Sequence, residues 1–317
     1  MTSRAIDHPV IAVAVATYRR EPELRRLLAA LAASRRPVTG KVFVADNAAS
    51  PTTKDACAAA PFPCEWLPLG ENRGPGPAWN RAIRAALASD QTTHVLVVDD
   101  DVVPPPETLE VLLEALHISG AAAAAPLLTD ARGNLWAFPE PREVDLRAAI
   151  RRIHTPQECR TALGTAPHAF CWATGACLLY TRSAFEKGDA FREDFWMLGE
   201  DLELSMRVAS TLGGVFTAAA AVPHLPPEPT DDAAATRAHR TKFLALLQNL
   251  SYLSFHSPHR AHLRSYLAGN FRRYLRTEGW STAAWREMGS AFYAGALRRQ
   301  PAGLSLGQKL RQRARQR

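Results

Sequence analysis

The sequence predicts an α/β protein: an open, mostly parallel, doubly wound sheet flanked by helices, followed by a helical C-terminal region. Three observations predict it. Short apolar, β-branched runs alternate with helix-period segments through the first 117 residues, and each run ends in a polar loop. The stretch HVLVVDDDVVPPP, His94 to Pro106, is too apolar at Val95 to Val98 for an exposed strand, and it delivers three carboxylates to its end. The chain of 317 residues is 47% hydrophobic, enough for one large domain with appendages or for two domains.

Val10 to Ala16 reads as the first buried strand, and Thr17-Tyr18-Arg19-Arg20 as its exit loop. Leu24, Leu27, Leu28 and Leu31 recur at helical spacing within Glu21 to Ala33, so a helix crosses back over the sheet. Lys41 to Ala45 is a second strand ending at Asp46-Asn47, and Thr52 to Ala60 a short helix. Glu65 to Leu69 is a third strand, running into Gly70 to Gly74, and Pro77 to Leu87 is a helix whose first turn tolerates proline. The fourth strand is the one ending in Asp99-Asp100-Asp101. Right-handed crossovers between these units give a parallel sheet.

Glu107 to His117 is the next helix, Ala121 to Leu127 a strand, and Asp130 to Asn134 a hairpin turn. Residues 139 to 168 have no clear period and read as irregular. Trp172 to Ala176 is a tight turn feeding a core strand, Cys177 to Tyr180. Gly199 precedes a helix from Glu200 to Leu212 that stops at Gly213-Gly214, and Val215 to Val222 is a strand ending at Pro223-His224. Phe243, Leu246, Leu247, Leu250 and Leu253 place an apolar face on a helical region that runs to the C-terminus.

Open α/β sheets bind ligands at the C-terminal ends of their strands. Three polar loops gather at that edge with the aspartates: Thr17 to Arg20, Asp46 to Ser50 and Asn72 to Pro77. Tyr18 offers a flat face to a base, Asp46 an acceptor for a base N–H or a ribose hydroxyl, and Arg73 a cation for a base carbonyl or phosphate. Three adjacent carboxylates repel, and a divalent cation would relieve the repulsion; the alternative is a solvated acidic turn capping the next helix. Glu200 and Asp201 fall at a helix N-terminus, where the dipole favours negative charge, so they read either as a charged cap or as functional groups. Phe195 and Trp196 suit a core or the wall of an acceptor pocket. His224, at a strand end, is a structural imidazole or a metal ligand. Trp172, Gly175 and Trp196 stand as candidate substrate contacts.

Several classes lack their marks. No G-x-G-x-x-G follows the first strand and no G-x-x-x-x-G-K-[ST] occurs anywhere. The net charge of +7 permits an anionic partner, but no nucleic-acid-binding motif accompanies it, and none is expected as a partner. Five cysteines without a C-x-x-C pair argue against a zinc knuckle or a disulfide framework and fit a reducing cytosol. The apolar run near the N-terminus is too short for a signal sequence or a membrane span. Arg298 to Arg317 holds seven basic residues and no acidic one, and reads as a solvated tail or, if the acceptor is lipid-linked, as a peripheral contact with the inner face of an anionic membrane.

The ordered set VAVATYRR, ADN, NRGPGPAWNRAI, VVDDDVVP and TGACLLYTRSAFEKGDAFREDFWMLGEDLELSMR, with a later histidine, resembles glycosyltransferase family 2 with its GT-A (Rossmann-like) fold. The similarity points to the rhamnosyl- and galactofuranosyltransferase-like branch and covers roughly residues 8 to 225. It implies a catalytic domain over 1–227, with a nucleotide-binding half at 8–117 and an acceptor half at 118–227, and a helical region at 228–317. It implies nucleotide contacts at Thr17, Tyr18, Arg19, Asp46 and Asp99. It implies a Mn²⁺ or Mg²⁺ site at Asp99, Asp101 and His224. It also implies an inverting transfer from a nucleoside-diphosphate sugar to a hydroxyl acceptor, with Asp201 as general base and Glu200 orienting acceptor or donor. Trp79-Asn80 stands where many members carry Arg-Asn, so the arginine that the resemblance implies on the base or phosphate is either missing or replaced by Arg73. The rivals are a sugar-nucleotide pyrophosphorylase, whose glycine-rich loop is missing, and a non-catalytic nucleotide- or glycan-binding protein. The oligomeric state is left open.

Overall fold

The computed structural model describes residues 9–186, 190–227, 233–257 and 259–298, with backbone alone at 233–236 and 238. The N-terminal βα units are β1 (Ile11–Thr17), α1 (Glu21–Ala32), β2 (Val42–Asp46), α2 (Pro51–Ala58), β3 (Cys64–Pro68), α3 (Pro75–Leu87), β4 (His94–Asp99) and α4 (Thr108–Ser119). Helix α3 begins two residues before the expected Pro77, because Gly74, at φ 85°, already turns the chain into the first helical turn.

After α4 come β5 (Ala123–Thr129), β6 (Leu135–Ala137), β7 (Glu140–Pro141), α5 (Val144–Ile150), α6 (Pro156–Leu163), β8 (His168–Trp172) and β9 (Cys177–Thr181). Residues 139–168 are thus not irregular. They carry two short helices, and α6 is started by a capping box in which the Thr155 hydroxyl accepts the Glu158 N–H while Glu158 accepts the Thr155 N–H. The chain continues through α7 (Glu200–Leu212), β10 (Gly214–Pro223), α8 (Ala233–His256), α9 (Arg260–Glu278) and α10 (Thr282–Ala296).

The strand order is β3-β2-β1-β4-β9-β5-β10-β8-β7, with β6 paired to β5. The expected parallel block is its first half: β1 pairs with β2 and β4, and β2 with β3, all parallel. The second half is mixed, because β9 is inserted antiparallel between β4 and β5, and β10 runs parallel to β5 and antiparallel to β8. A buried strand shows no direction in its composition, which is why the sequence suggested only one sense.

Alternation along the strands divides the core into two layers. Ile11, Val13 and Val15 face α1 and α4 through Leu24, Leu27, Leu28, Leu109 and Leu112. Ala12, Ala14 and Ala45 face the other way, where their small side chains leave room for Trp79 and Ile83 of α3. A fully buried leucine such as Leu96 accounts for about 2–5 kcal/mol on truncation to alanine.

The chain divides into two compact units, Met1–Phe191 with Leu204–Pro227, and Arg192–Glu203 with Glu228–Arg317. In the second, α8, α9 and α10 bury Phe243, Leu247, Leu250, Leu263, Leu267, Tyr274 and Met288. Leu246, expected on the apolar face, is only half-buried. Glu287 gathers the Tyr274 hydroxyl at 2.7 Å and Arg240 Nε at 3.1 Å. Helices α8 and α10 come so close that a Cβ on Gly295 would sit 2.0 Å from the Gln248 carbonyl oxygen. Among the described residues no helix is long and apolar enough to cross a membrane. The basic run beyond Arg298 lies outside the described residues.

Candidate active site

Strand register brings the predicted loops to one edge. Thr17 is the partner of Asp46 across β1 and β2, and Ala16 the partner of Asp99 across β1 and β4. The third loop is tied in by Asn47, whose Nδ2 donates to the Gly74 carbonyl at 3.2 Å while its Oδ1 accepts the Arg73 N–H at 3.1 Å. Tyr18 is exposed, with the Arg19 guanidinium 5.2 Å from its ring centre, and Arg19 holds a positive φ of 56° at the loop's tip. Arg73 Nε lies 3.3 Å from Glu71 Oε1. Asp46 is fully buried and organises the loop around itself. Its oxygens accept the N–H groups of Ala48 at 2.9 Å and Ser50 at 2.7 Å, and Trp66 Nε1 at 3.2 Å.

The three aspartates take different surroundings. Asp100 turns inward, accepting the Thr17 hydroxyl at 2.7 Å and Arg20 Nη1 at 3.2 Å. Burial pushes its carboxyl up to about 6, with Arg20 and Thr17 pulling the other way. Asp101 is also buried, and burial alone would raise it. The His224 imidazole and the Arg20 guanidinium nonetheless hold it below the usual carboxylate range. Arg20 Nη1 lies 2.6 Å from Asp101 Oδ2, and His224 Nε2 lies 3.1 Å from Asp101 Oδ1. That second contact is an electrostatic approach rather than an aligned hydrogen bond, since Asp101 Oδ1 is buried without a well-aligned partner; the ring's other nitrogen, Nδ1, is likewise buried without one.

Asp99, Asp101 and His224 each present one ligand atom within a sphere where all lie within 4.8 Å of one another. The backbone builds this cluster. Val102 and His224 form an isolated antiparallel bridge, Val103 N–H donates to the Pro223 carbonyl at 2.9 Å, and Leu225 N–H donates to the Asp101 carbonyl at 2.7 Å. The Trp136 ring lies against His224, tilted by 31° with centres 4.1 Å apart.

Trp172 and Gly175 are buried at the turn between β8 and β9. The turn meets the cluster's edge, because Asp99 N–H donates to the Ala176 carbonyl at 2.9 Å, and Ser205 Oγ pins it from α7 by donating to the Ala173 carbonyl at 2.8 Å. Trp196, Glu200 and Asp201 belong to the second unit. Trp196 is exposed and Glu200 buried, and Asp201 Oδ1 accepts the Leu202 N–H at 2.8 Å and the Gly199 N–H at 3.2 Å. Trp79 is core: it stacks on Phe191 at 4.7 Å, and Asn80 exchanges two hydrogen bonds with the Phe191 backbone.

Sequence reasoning missed three residues of this edge. Arg20 and Asn47 lie in loops already marked as polar, and Trp136 lies in the short strand β6 just past the turn at Asp130 to Asn134, but their partners are set by register and by non-local approach. The adjacency of Arg20 to a three-carboxylate strand end was the one available signal.

The chain is similar to known proteins. The family model described as Glycosyltransferase like family 2 matches residues 8–248. The N-acetylglucosaminyl-diphospho-decaprenol L-rhamnosyltransferase of Mycobacterium tuberculosis is 32% identical over 220 residues, covering 63% of this chain and 69% of that enzyme. TarS 1-349 of S. aureus superimposes with a TM-score of 0.59 at 18% identity, over 90% of this chain and 81% of that one. The mannosyltransferase PcManGT from Pyrobaculum calidifontis, in complex with GDP-Man and Mn²⁺, gives 0.56 at 18% identity, over 98% and 80%. At those identities the solved structures speak for the shared GT-A fold. With the family match over most of its length, the chain is a glycosyltransferase enzyme and belongs to glycosyltransferase-like family 2.

Proposed function

We propose that the chain transfers a sugar from a nucleoside-diphosphate donor to a hydroxyl acceptor with inversion, assisted by Mn²⁺ or Mg²⁺. The observation that carries the reading is the Asp99, Asp101 and His224 cluster at the end of β4. Its residues fit a divalent cation: two carboxylates and an imidazole suit Mn²⁺ or Mg²⁺, and Asp101 Oδ1, which faces His224 Nε2 at 3.1 Å, is buried without a well-aligned hydrogen-bond partner. A cation held there supplies Lewis acidity and a template for the leaving diphosphate.

The chain's own residues do the rest. Tyr18, Arg19 and Arg73 hold the nucleotide at the β1 and β3 loops; Asp46, expected as a direct contact, is fully buried with its oxygens taken by Ala48, Ser50 and Trp66, so it braces the β2 loop, and Thr17 fixes the strand end. Trp172, Gly175 and Trp196 bound the sugar and acceptor. Asp201 takes the acceptor hydroxyl proton, and Glu200 orients the acceptor or the donor sugar. The start of α7 stabilises an anionic Asp201 and so weakens it as a base, which suits proton transfer late in the displacement.

The M. tuberculosis relative, by its name, adds L-rhamnose to a decaprenyl-diphosphate-linked N-acetylglucosamine. On that relationship the first donor to try is nucleotide-activated L-rhamnose, and the first acceptor a polyprenyl-diphosphate sugar, met at the cytoplasmic face of a membrane. The test is a panel of nucleotide-activated L-rhamnose, UDP-GlcNAc and GDP-mannose, with and without Mn²⁺, read by thermal shift and by product NMR. One donor should stabilise the protein only with metal and give a product of opposite anomeric configuration. Asp201→Asn should lower kcat by about 10²- to 10⁴-fold with donor binding intact. Retained configuration, or full turnover by Asp201→Asn, would overturn the mechanism.

A further inference from the structure

Within the second unit, the segment Arg192 to Gly199 leads into Glu200 and Asp201, and helix α8 grips it at two places. At its start, Arg192 clamps Asp194 through Nε and Nη2 at 2.8 and 2.6 Å, and its Nη1 donates to the Tyr252 hydroxyl of α8 at 2.6 Å. The same guanidinium lies 4.9 Å from the Phe195 ring centre and 4.4 Å from that of Tyr252. At its end, the Asn249 side-chain amide of α8 donates to the Leu198 carbonyl at 2.7 Å and to the Met197 carbonyl at 3.3 Å. Asn249 is buried, with only 3% of its surface exposed.

This grip falls on an unusual piece of backbone. Leu198 and Gly199 are consecutive positive-φ residues, at 63° and 96°. For leucine that region is rarely adopted, and it persists only where neighbours over-determine it. Asn249 supplies that determination. A Cβ on Gly199 would come within 3.3 Å of the Asn249 Cβ, so the glycine also makes room for the asparagine. The orientation of the amide is fixed in turn by Arg298, whose Nη1 lies 3.3 Å from Asn249 Oδ1. A guanidinium has only donors, so the oxygen must face it and the NH₂ must face the carbonyls.

The next link reaches the acidic pair, because the Gly199 N–H donates to Asp201 Oδ1 at 3.2 Å. The Asn249 amide, the Leu198 carbonyl, the Gly199 N–H and the Asp201 carboxylate form one continuous relay of contacts. We propose that Asn249 is a positioning residue for glycosyl transfer: it holds the left-handed Leu198–Gly199 peptide so that the Gly199 N–H orients Asp201. The proposal rests on the reading of Asp201 as general base. It makes the C-terminal helices contributors to the chemistry rather than an appendage.

The test uses Asn249→Asp, which keeps the size and the Arg298 partner but cannot donate when ionised, beside Asn249→Ala and Asp201→Asn in the full chain. The assay uses nucleotide-activated L-rhamnose with an N-acetylglucosaminyl-diphospho-polyprenol acceptor and Mn²⁺. Both Asn249 variants should lose about ten- to a hundredfold in kcat at nearly unchanged donor KM. The acid limb of their kcat–pH profile should move to higher pH, since Asp201 loses a donor to its charged form. Hydrogen exchange at the Gly199 amide should accelerate by about tenfold or more, and that readout needs no substrate. Unmoved exchange and an unmoved pH limb in Asn249→Asp, alongside an inactive Asp201→Asn, would overturn the proposal alone. Turnover retained by Asp201→Asn would instead remove the base assignment, and the positioning role with it.

Discussion

Arg20 Nη1 approaches Asp101 Oδ2 to 2.6 Å and Asp100 Oδ1 to 3.2 Å, so one guanidinium holds two neighbouring carboxylates together at the end of β4. Without it, buried like charges would face each other. Arg20→Ala should therefore lower stability by about 1–3 kcal/mol, less than for a fully buried pair because a third of the arginine side chain remains in water. Saturating Mn²⁺ should restore part of the loss, since a divalent cation beside Asp101 supplies the missing positive charge. Thermal melts of both proteins with and without Mn²⁺ check this, and equal metal-induced shifts would contradict it.

His224 faces Asp101 at 3.1 Å and is covered by Trp136. Loss of a partner in the outer shell of a metal site costs about ten- to a hundredfold in affinity, and loss of a ligand should cost at least as much. His224→Ala should raise the Mn²⁺ concentration for half-maximal donor stabilisation accordingly, while Trp136→Ala should have the smaller effect of an outer neighbour. A Mn²⁺ titration followed by thermal shift distinguishes them.

The imidazole of His94 sits at the opposite end of β4 from the carboxylates, with its Nδ1 2.8 Å from the Thr93 hydroxyl. Burial first, and the Arg36 charge second, hold it below its ordinary value of 6.5. The folded state therefore resists a proton that the unfolded chain accepts. Stability is fully present above about pH 6.5 and is lost as the pH falls, with a slope of at most about 1.4 kcal/mol per pH unit from this group. Urea midpoints measured from pH 7.5 to 5 should fall, and they should fall less in His94→Gln.

Gly295 marks the crossing of α8 and α10, where an added Cβ would meet the Gln248 carbonyl at 2.0 Å and the Ser251 Cβ at 2.7 Å. Backbone cannot step aside as a flexible side chain can. Gly295→Ala, normally a favourable change in a helix, should instead destabilise the helical unit by about 1–3 kcal/mol by chemical denaturation.

Much of the fold was legible because it depends on local period: the four N-terminal strands and the helices between them follow directly from apolar spacing. The antiparallel insertion of β9 was not, because strand direction is decided by crossover geometry rather than by the residues of Cys177–Thr181. Helix α6 could have been read from Thr155 and Glu158, whose spacing is that of a capping box. At the site, the types of Asp99, Asp101 and His224 were readable, and the structure brings their ligand atoms together. The inward turn of Asp100 and the grip of Asn249 were not. Each depends on a partner dozens of residues away, and neither residue has a local pattern that names it.

The bridge between Val102 and His224 separates two equilibria that small metal sites often merge. Because main-chain hydrogen bonds already hold the chain on either side of Asp101 against the chain around His224, the ligand atoms converge through folding alone. A zinc finger folds around its ion and collapses when a chelator removes it. Here the ion would enter a seat that stands ready, so its binding energy goes to donor capture rather than to assembling the protein. On the proposed reading, metal availability regulates turnover while the chain stays folded without the ion, which adds only the stabilisation of any folded-state ligand, and a chelated sample should recover fully when the ion is returned.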